Sequence, residues 1–361
     1  MKTTLLVGSE NFWESLEADV RSASSSVLVQ TLSFEGDATG QGLSEAMRAS
    51  NATDRRIIVD CFTKHFISDR SVHSRKNKKD PEHRREVLAT SQMVNDNRAA
   101  GVDVRFVNPF GFLFRKIPGR NHKKMILVDD RITYIGGINF SDHNFLWHDM
   151  MLRIDDPAVA AFMRADFETT WSGEDRFVEG RFEGLDIYLV DGKSNESTFA
   201  RLFDLIAGAR RSIFIESPYL SFPFYKYLRE AVSRGVEVTV LTPDLNNRKA
   251  VQRYTEWEAA RSGINLRFYL PEMTHLKAML VDEEKLVVGS SNFDYLSYRA
   301  QQEVIAVVER PDLVADFIRK VRDPDLGNSR AAEVSAPKKS TYLLYGLMRV
   351  VGKAAVTVAK F

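Results

Sequence analysis

Periodic and alternating apolar positions divide the chain into two runs of elements in the same order. From Glu10 to about Arg21 apolar residues recur at helical spacing, and a β-rich run follows over Ser26–Phe34. Residues 40–50 again read as helix and Arg55–Cys61 as a buried strand. The same order returns as helix over Ser197–Arg210, strand over Ser212–Leu220, helix over Phe224–Ser233 and strand over Val236–Leu241. Gly101-Val-Asp-Val-Arg-Phe-Val and Gly263-Ile-Asn-Leu-Arg-Phe-Tyr are then one strand written twice, each leading into a longer shared pattern. The chain is an internal duplication. Counterparts lie 186 residues apart at Val27 and Ile213, 181 at Ile57 and Val238, 162 at Gly101 and Gly263, and 153 at His122 and His275. The first half therefore carries two insertions, within 62–100 and within 108–121.

The longer pattern holds the candidate chemistry. His122, Lys124, Asp129, Gly136 and Asn139 are matched by His275, Lys277, Asp282, Gly289 and Asn292, with the Asn seventeen positions after the His in both copies. Strand alternation points His122 and Lys124 the same way, with Ile126 and Val128 behind them, and His275 and Lys277 do likewise. Asp129 and Asp282 fall on the opposite parity beside the turn, which suits a structural carboxylate bracing the hairpin. Gly136-Gly137 and Gly289-Ser290 are expected to let backbone approach a ligand closely, and Asn139 or Asn292 to supply an amide donor. A His, a Lys and an Asn on one edge make half of a phosphate site.

Composition narrows what such a site serves. At 361 residues, 44% hydrophobic and 27% charged, the chain has room for two ordinary domains. With 50 basic and 49 acidic residues it lacks the positive field of a dedicated nucleic-acid binder, so no nucleic-acid partner is expected. The single cysteine, Cys61, excludes an internal disulfide and a cysteine-built metal site. The N-terminus reaches Glu10 too soon for a secretory segment, and no uninterrupted apolar stretch has spanning length. Of the insertions, the basic run after Ser71 reads as a solvated loop. The second joins Phe110, Phe112 and Phe114 to Arg115, Lys116 and Arg120 directly before His122, and reads as a membrane contact. The histidines without duplicates, His65, His73, His83, His143 and His148, read as structural or solvated.

The paired motifs resemble the signature of the phospholipase D superfamily, and both copies are complete. The resemblance extends over nearly all of residues 10–325. Trp147-His-Asp149 after the first motif, Gln302-Glu303 after the second and Glu216-Ser-Pro-Tyr219 are similar to patterns of the bacterial cardiolipin synthases. It implies an α/β fold of two homologous phospholipase D-like domains, each a mixed β-sheet flanked by helices, with the active site at their interface. The division is placed at 1–175 and 176–327, with 328–361 as linker and amphipathic helix.

Chemistry and resemblance together imply a mechanism. One neutral imidazole attacks phosphorus to form a phosphohistidine while a second, protonated imidazole gives its proton to the leaving alcohol. Lys124, Lys277, Asn139 and Asn292 stabilise the developing negative oxygens, so no metal and no cofactor is expected. The family places an orienting acid near the positions of Asp149, 27 residues after His122, and Glu303, 28 after His275. Family precedent makes His122 the nucleophile and His275 the acid, although the two halves are symmetric in sequence. The expected activity is phosphatidyl transfer making cardiolipin from phosphatidylglycerol. The alternatives are a phospholipase D hydrolysing headgroups, a nuclease of the same superfamily and a non-catalytic lipid-binding protein.

The tail adds an anchor. After a polar stretch, 328–340, that reads as a flexible hinge, residues 341–361 place Arg349, Lys353 and Lys360 at spacings of four and seven on a helix, with apolar or small residues around the rest. The expectation is an in-plane helix on an anionic phospholipid membrane, making the protein peripheral at the cytoplasmic face.

Overall fold

The computed structural model describes residues 1–333 and, beyond them, Tyr345, Gly346, Val350, Lys353, Ala354, Val356 and Thr357. The first half builds a sheet from β1 (Lys2–Val7), β2 (Ser26–Thr31), β3 (Asp54–Asp60), β4 (Asp103–Val107), β5 (Met125–Val128), β6 (Ile132–Gly136) and β7 (Met150–Asp155), in the order β1-β7-β6-β5-β2-β3-β4. The second half supplies β8 (Val178–Phe182), β9 (Leu185–Asp191), β10 (Ser212–Glu216), β11 (Glu237–Pro243), β12 (Asn265–Tyr269), β13 (Ala278–Val281), β14 (Lys285–Gly289), β15 (Gln302–Val308) and β16 (Ser329–Ala331), in the order β8-β9-β15-β14-β13-β10-β11-β12-β16. Without the edge strands β8 and β16, the two orders coincide. Parallel pairs β2–β3 and β3–β4 match β10–β11 and β11–β12, and the motif hairpin β5–β6 matches β13–β14. The duplication read from sequence is thus a duplication of topology.

Strand alternation sorts the apolar residues into three cores. Leu28, Ile58, Met125 and Leu127 of the first sheet share one core with Phe214, Leu241, Ala278 and Leu280 of the second, so the two sheets pack face to face. Their neighbours of opposite parity face outward. Val27, Val29, Ile126 and Val128 meet α1 (Ser9–Ser22), α2 (Ala38–Ala49) and α3 (Pro81–Ala99), while Ile213, Ile215, Met279 and Val281 meet α5 (Asn195–Gly208), α6 (Phe224–Ser233) and α7 (Lys249–Ala259). The shared core is closed at its margin by α4 (Pro157–Ser172) and α8 (Pro311–Phe317), through Met163, Phe167, Leu313 and Phe317. Burial at spacings of four, Phe12, Leu16 and Val20, explains why α1 is legible as an amphipathic helix.

Two expectations need correction. The insertion 62–100 is not simply a solvated loop, because it contains α3. The Asp80 carboxylate accepts the Glu82 N–H at 3.0 Å and Pro81 opens the first turn, while Thr90, Met93 and Val94 are buried. The short strand Arg70–Ser71 and the short helix Arg75–Lys79 ahead of it bury no residue. The stretch taken as a free hinge begins with β16, whose residues pair antiparallel with Arg267–Tyr269 of β12.

The in-plane helix expected over 341–361 falls mainly outside the described residues, Arg349 and Lys360 among them. Of its described positions, Tyr345 is buried against Tyr254 and Trp257, ring centroids 5.2 and 5.0 Å away, and the Lys353 ammonium lies 5.2 Å from the centroid of the Phe222 ring. At these points the tail touches the second half rather than facing away from it.

Candidate active site

The structural aspartates prepare the motif strands. Asp129 and Asp130, like Asp282 and Glu283, have positive φ, so each hairpin closes on the mirror-image turn that suits strand twist. The Asp129 carboxylate accepts the backbone N–H groups of Ser24, Ser25 and Ser26 at 2.8–3.1 Å, and Asp282 accepts those of Arg210, Arg211 and Ser212 at 2.7–3.2 Å. These bonds outweigh burial and hold the Asp129 carboxyl down to about 2. Each aspartate thus ties its turn to the start of the neighbouring strand, β2 or β10, more than it braces its own hairpin.

The motif side chains lie just ahead of those strands. β5 begins at Met125 and β13 at Ala278, so His122, Lys124, His275 and Lys277 are not inside the strands as the alternation predicts. The chain there leaves its own sheet and pairs with the other half. His122 N–H donates to the Gln302 carbonyl at 2.8 Å and Gln302 N–H to the Arg120 carbonyl at 2.9 Å, while His275 N–H donates to the His148 carbonyl at 2.7 Å. Each motif is therefore bonded to the segment that carries the opposite half's acid.

This exchange crosses the pairing of histidine and acid. His122 Nδ1 lies 3.0 Å from Glu303 Oε2, and His275 Nδ1 lies 2.7 Å from Asp149 Oδ2. The spacing of an acid after the histidine of its own half does not show which histidine it reaches. With Nδ1 carrying the proton toward Glu303, Nε2 is left as the lone-pair nitrogen of His122, whereas His275 Nδ1 lies between the Asp149 carboxylate and the Lys277 ammonium. Burial pushes both imidazoles below their ordinary value, His275 to about 3 with the adjacent Lys277 adding to the effect. Both carboxylates are buried, which would raise them, yet they are held below the usual range by the facing cations and histidines.

Lys124 and Lys277 are 1% and 2% exposed, and burial pushes them down to about 7 and about 8. The Lys124 ammonium donates to the His122 carbonyl at 2.9 Å. Lys277 donates to the His275 carbonyl and sits 3.4 Å from Asp149 Oδ2 and 2.6 Å from His275 Nδ1. Asn139 and Asn292 are also buried; Asn139 Nδ2 donates to Asn144 Oδ1 at 2.8 Å, whereas Asn292 Oδ1 has no partner among the described residues.

The small residues of the motif are required by close contacts within the protein. A Cβ on Gly136 would lie 2.3 Å from the Met150 carbonyl oxygen, one on Gly289 2.2 Å from that of Val304, and one on Gly137 2.3 Å from Asp149 Oδ1. The space a Cβ would need is filled by the segment that carries the acid. Ser290, at the place of Gly137, instead donates its hydroxyl to Glu303 Oε2, and Ser297 donates to Oε1 at 2.8 Å. The two carboxylates are thus held differently.

Of the loop before His122, Phe110 is buried at 4% exposure, stacked on His65 with centroids 4.2 Å apart and covered by the Arg120 guanidinium at 4.4 Å. It cannot meet a membrane as expected, because it plugs the loop base that Arg120 closes through Asp60 at 2.9 Å. Phe112 and Leu113 are 75% and 76% exposed, Phe114 and Ile117 are also exposed apolar side chains, and Arg115 and Lys116 are exposed beside them. Two rings flank His275: Trp147 at 4.9 Å and Tyr219 at 6.2 Å between centroids. They have no duplicates, so the repeat that singles out the histidines does not single them out.

The crossed pairing has a direct spectroscopic consequence. In nitrogen-15 spectra of the histidine rings, Glu303→Gln should shift the Nδ1 resonance and tautomer balance of His122 and leave His275 nearly unchanged. Asp149→Asn should do the reverse. Each acid perturbing the histidine of its own half would contradict the geometry.

The profile of the family described as "Cardiolipin synthase, PLD-like domain" matches residues 16–171 and 202–323. Among curated proteins, the chain is 26% identical over 354 residues to cardiolipin synthase A of Pseudomonas entomophila (strain L48), covering 90% of this chain and 68% of that protein. It is 25% identical over 325 residues to the probable cardiolipin synthase YwiE of Bacillus subtilis (strain 168), covering 82% of this chain and 60% of that one. The fold is similar to the crystal structure of phosphatidylserine synthase from Haemophilus influenzae Rd KW20, with a TM-score of 0.72 at 14% identity over 99% of this chain and 94% of the other. With the family profile matching both halves, each around its own His-x-Lys motif, the chain belongs to the phospholipase D superfamily, in the family of cardiolipin synthase PLD-like domains.

Proposed function

We propose that the chain is a phospholipase D-type phosphatidyltransferase that makes cardiolipin from phosphatidylglycerol. The observation that carries this reading is the crossed pair of buried imidazoles, each with one nitrogen held by a carboxylate and a lysine two residues on. The family and the names of its curated relatives support a phospholipid as the diester, and the balanced charge argues against a nucleic-acid substrate.

In this mechanism His122 Nε2 attacks phosphorus. A phosphorus–nitrogen bond forms and the bond from phosphorus to the glycerol headgroup breaks, while His275 gives its Nε2 proton to the leaving oxygen. A hydroxyl of a second phosphatidylglycerol then loses its proton to His275 and attacks phosphorus, and the phosphorus–nitrogen bond breaks. Charge balance explains how a histidine depressed in the empty site acts as the acid. Lys124 and Lys277 offset Asp149 and Glu303, so a bound phosphodiester monoanion leaves one negative charge that a proton on one imidazole neutralises. The lysines, with Asn139 and Asn292, stabilise the phosphoryl oxygens through the transition state.

Water in place of the second hydroxyl would turn the same site into a hydrolase, and the reading as a transferase rests on the relatives. A peripheral position at the cytoplasmic face of an anionic membrane fits the exposed Phe112, Leu113, Phe114 and Ile117 beside Arg115 and Lys116. No helix among the described residues is long and apolar enough to cross a membrane.

Purified protein incubated with phosphatidylglycerol vesicles should release cardiolipin and glycerol, followed by mass spectrometry of the lipids. His122→Ala and His275→Ala should each lower the initial rate by about 10²–10⁴-fold or more. Phosphatidic acid without cardiolipin would move the assignment to the hydrolase, and cleavage of nucleic acid alone to the nuclease. A pH profile gives an independent check. The charged forms of Lys124 and Lys277 are lost as pH rises through about 7 and about 8, so kcat/KM should fall above that window. A kcat/KM that stays flat to pH ~10, near the ordinary lysine value, would contradict a phosphate-binding role for these ammonium groups.

A further inference from the structure

We infer that His148, Glu216 and Asp325 form a binding site for one divalent metal ion of the zinc class, at the junction of the two halves. In the sequence these residues are far apart: His148 and Glu216 fall in two of the separate patterns similar to cardiolipin synthases, Glu216 ending β10, and Asp325 lies in the short helix Asp323–Gly327. The fold brings one ligand atom from each within 4.8 Å of the others, with His148 Nε2 2.9 Å from Asp325 Oδ2.

Glu216 is fully buried. Its Oε1 accepts the hydroxyl of Thr274, while its Oε2 has no hydrogen-bond partner among the described residues. A buried carboxylate oxygen left without a donor beside a second buried carboxylate is costly unless a metal ion or a shared proton joins them. One imidazole nitrogen and two carboxylate oxygens are a donor set for zinc and its neighbours; magnesium and calcium favour oxygen alone. Thr274 holds the ligating carboxylate from behind, and Tyr269 stacks on the His148 ring with centroids 5.1 Å apart.

The duplication supplies an internal comparison. At the matching places the first half has Gln30 for Glu216 and Asn121 for Thr274, joined by an amide hydrogen bond of 2.9 Å, and Gln302 stands for His148. There Gln302 Nε2 donates to Asp175 Oδ1 at 2.5 Å as His148 faces Asp325, so the acid recurs while the imidazole and the second carboxylate are replaced by amides, and only one of the two copies carries the ligand set. Its position gives the ion a positioning role. The His148 carbonyl receives the His275 N–H at 2.7 Å and the next residue, Asp149, holds the His275 ring, so an ion on His148 would fix the segment that orients His275 without touching substrate.

The test uses the full chain, stripped with chelator and then titrated with zinc alone, with metal content measured after desalting and binding followed by calorimetry. One equivalent per chain is expected, with a rise in the thermal midpoint. Glu216→Gln and Asp325→Asn should weaken binding by at least about 10-fold, and Thr274→Val by about 10–100-fold. X-ray absorption of the zinc-loaded natural chain, which needs no variant, should show one imidazole with oxygen ligands. Two imidazoles, or binding that survives Glu216→Gln and vanishes in His73→Ala, would place the ion on the His65–His73 pair, whose ring nitrogens are 2.7 Å apart, and overturn the assignment. Absence of stoichiometric uptake, with Glu216→Gln as stable as the natural chain, would mean that a shared proton joins the carboxyls, and would overturn it equally.

Discussion

Two buried hydrogen bonds, His122 to Glu303 and His275 to Asp149, are the constraint on which the rest of the structure depends. Each half supplies the histidine for one pair and the acid for the other, so neither half contains a complete acid–base unit. The shared apolar core between the sheets exists to make that exchange possible. Met125 and Leu127 on one side and Ala278 and Leu280 on the other bring the two motif strands face to face, and the chain ahead of each strand is then close enough to bond across. Four ionisable groups, Lys124, Lys277, Asp149 and Glu303, are buried together, which is tolerable because their charges offset one another. In the proposed mechanism a bound phosphodiester disturbs that balance, and the disturbance favours protonating one imidazole.

The halves are copies in topology but not in detail. Gly137 leaves room for the Asp149 carboxylate, while Ser290 at the same place donates a hydroxyl to the longer Glu303, which also takes one from Ser297. Trp147 and Tyr219 stand beside His275. Such differences give two chemically identical imidazoles different surroundings, which a mechanism with separate nucleophile and acid requires.

Much of this was legible in the sequence, for reasons that can be named. The repeat of His, Lys, Asp, Gly and Asn at fixed spacing located the motif, but alternation grouped Ile126 and Val128 with His122 and Lys124, whereas Ile126 and Val128 face the outer core and Met125 and Leu127 the shared one. The crossing was not legible, because an acid's spacing from its own histidine carries no information about the approach of the other half. That Gly136 and Gly289 are crowded by the strand leading from the acid was not legible either, because it is a contact between segments that sequence spacing does not reveal. Phe110 was grouped with Phe112 and Phe114 by adjacency, yet Arg120 and His65 bury it. The helix α3 was hidden because its polar face dominates its composition, and β16 because three residues in a polar stretch have no periodicity to read.

The central claim, that the two halves make one site using a histidine as nucleophile, is tested most directly by trapping. Acid-free quenching during turnover with phosphorus-labelled phosphatidylglycerol, followed by peptide mapping, should find the phosphatidyl group on His122, and His122→Ala should carry no label. Label on His275 alone would exchange the two roles. Full turnover with no labelled histidine in the natural chain would contradict the covalent account altogether.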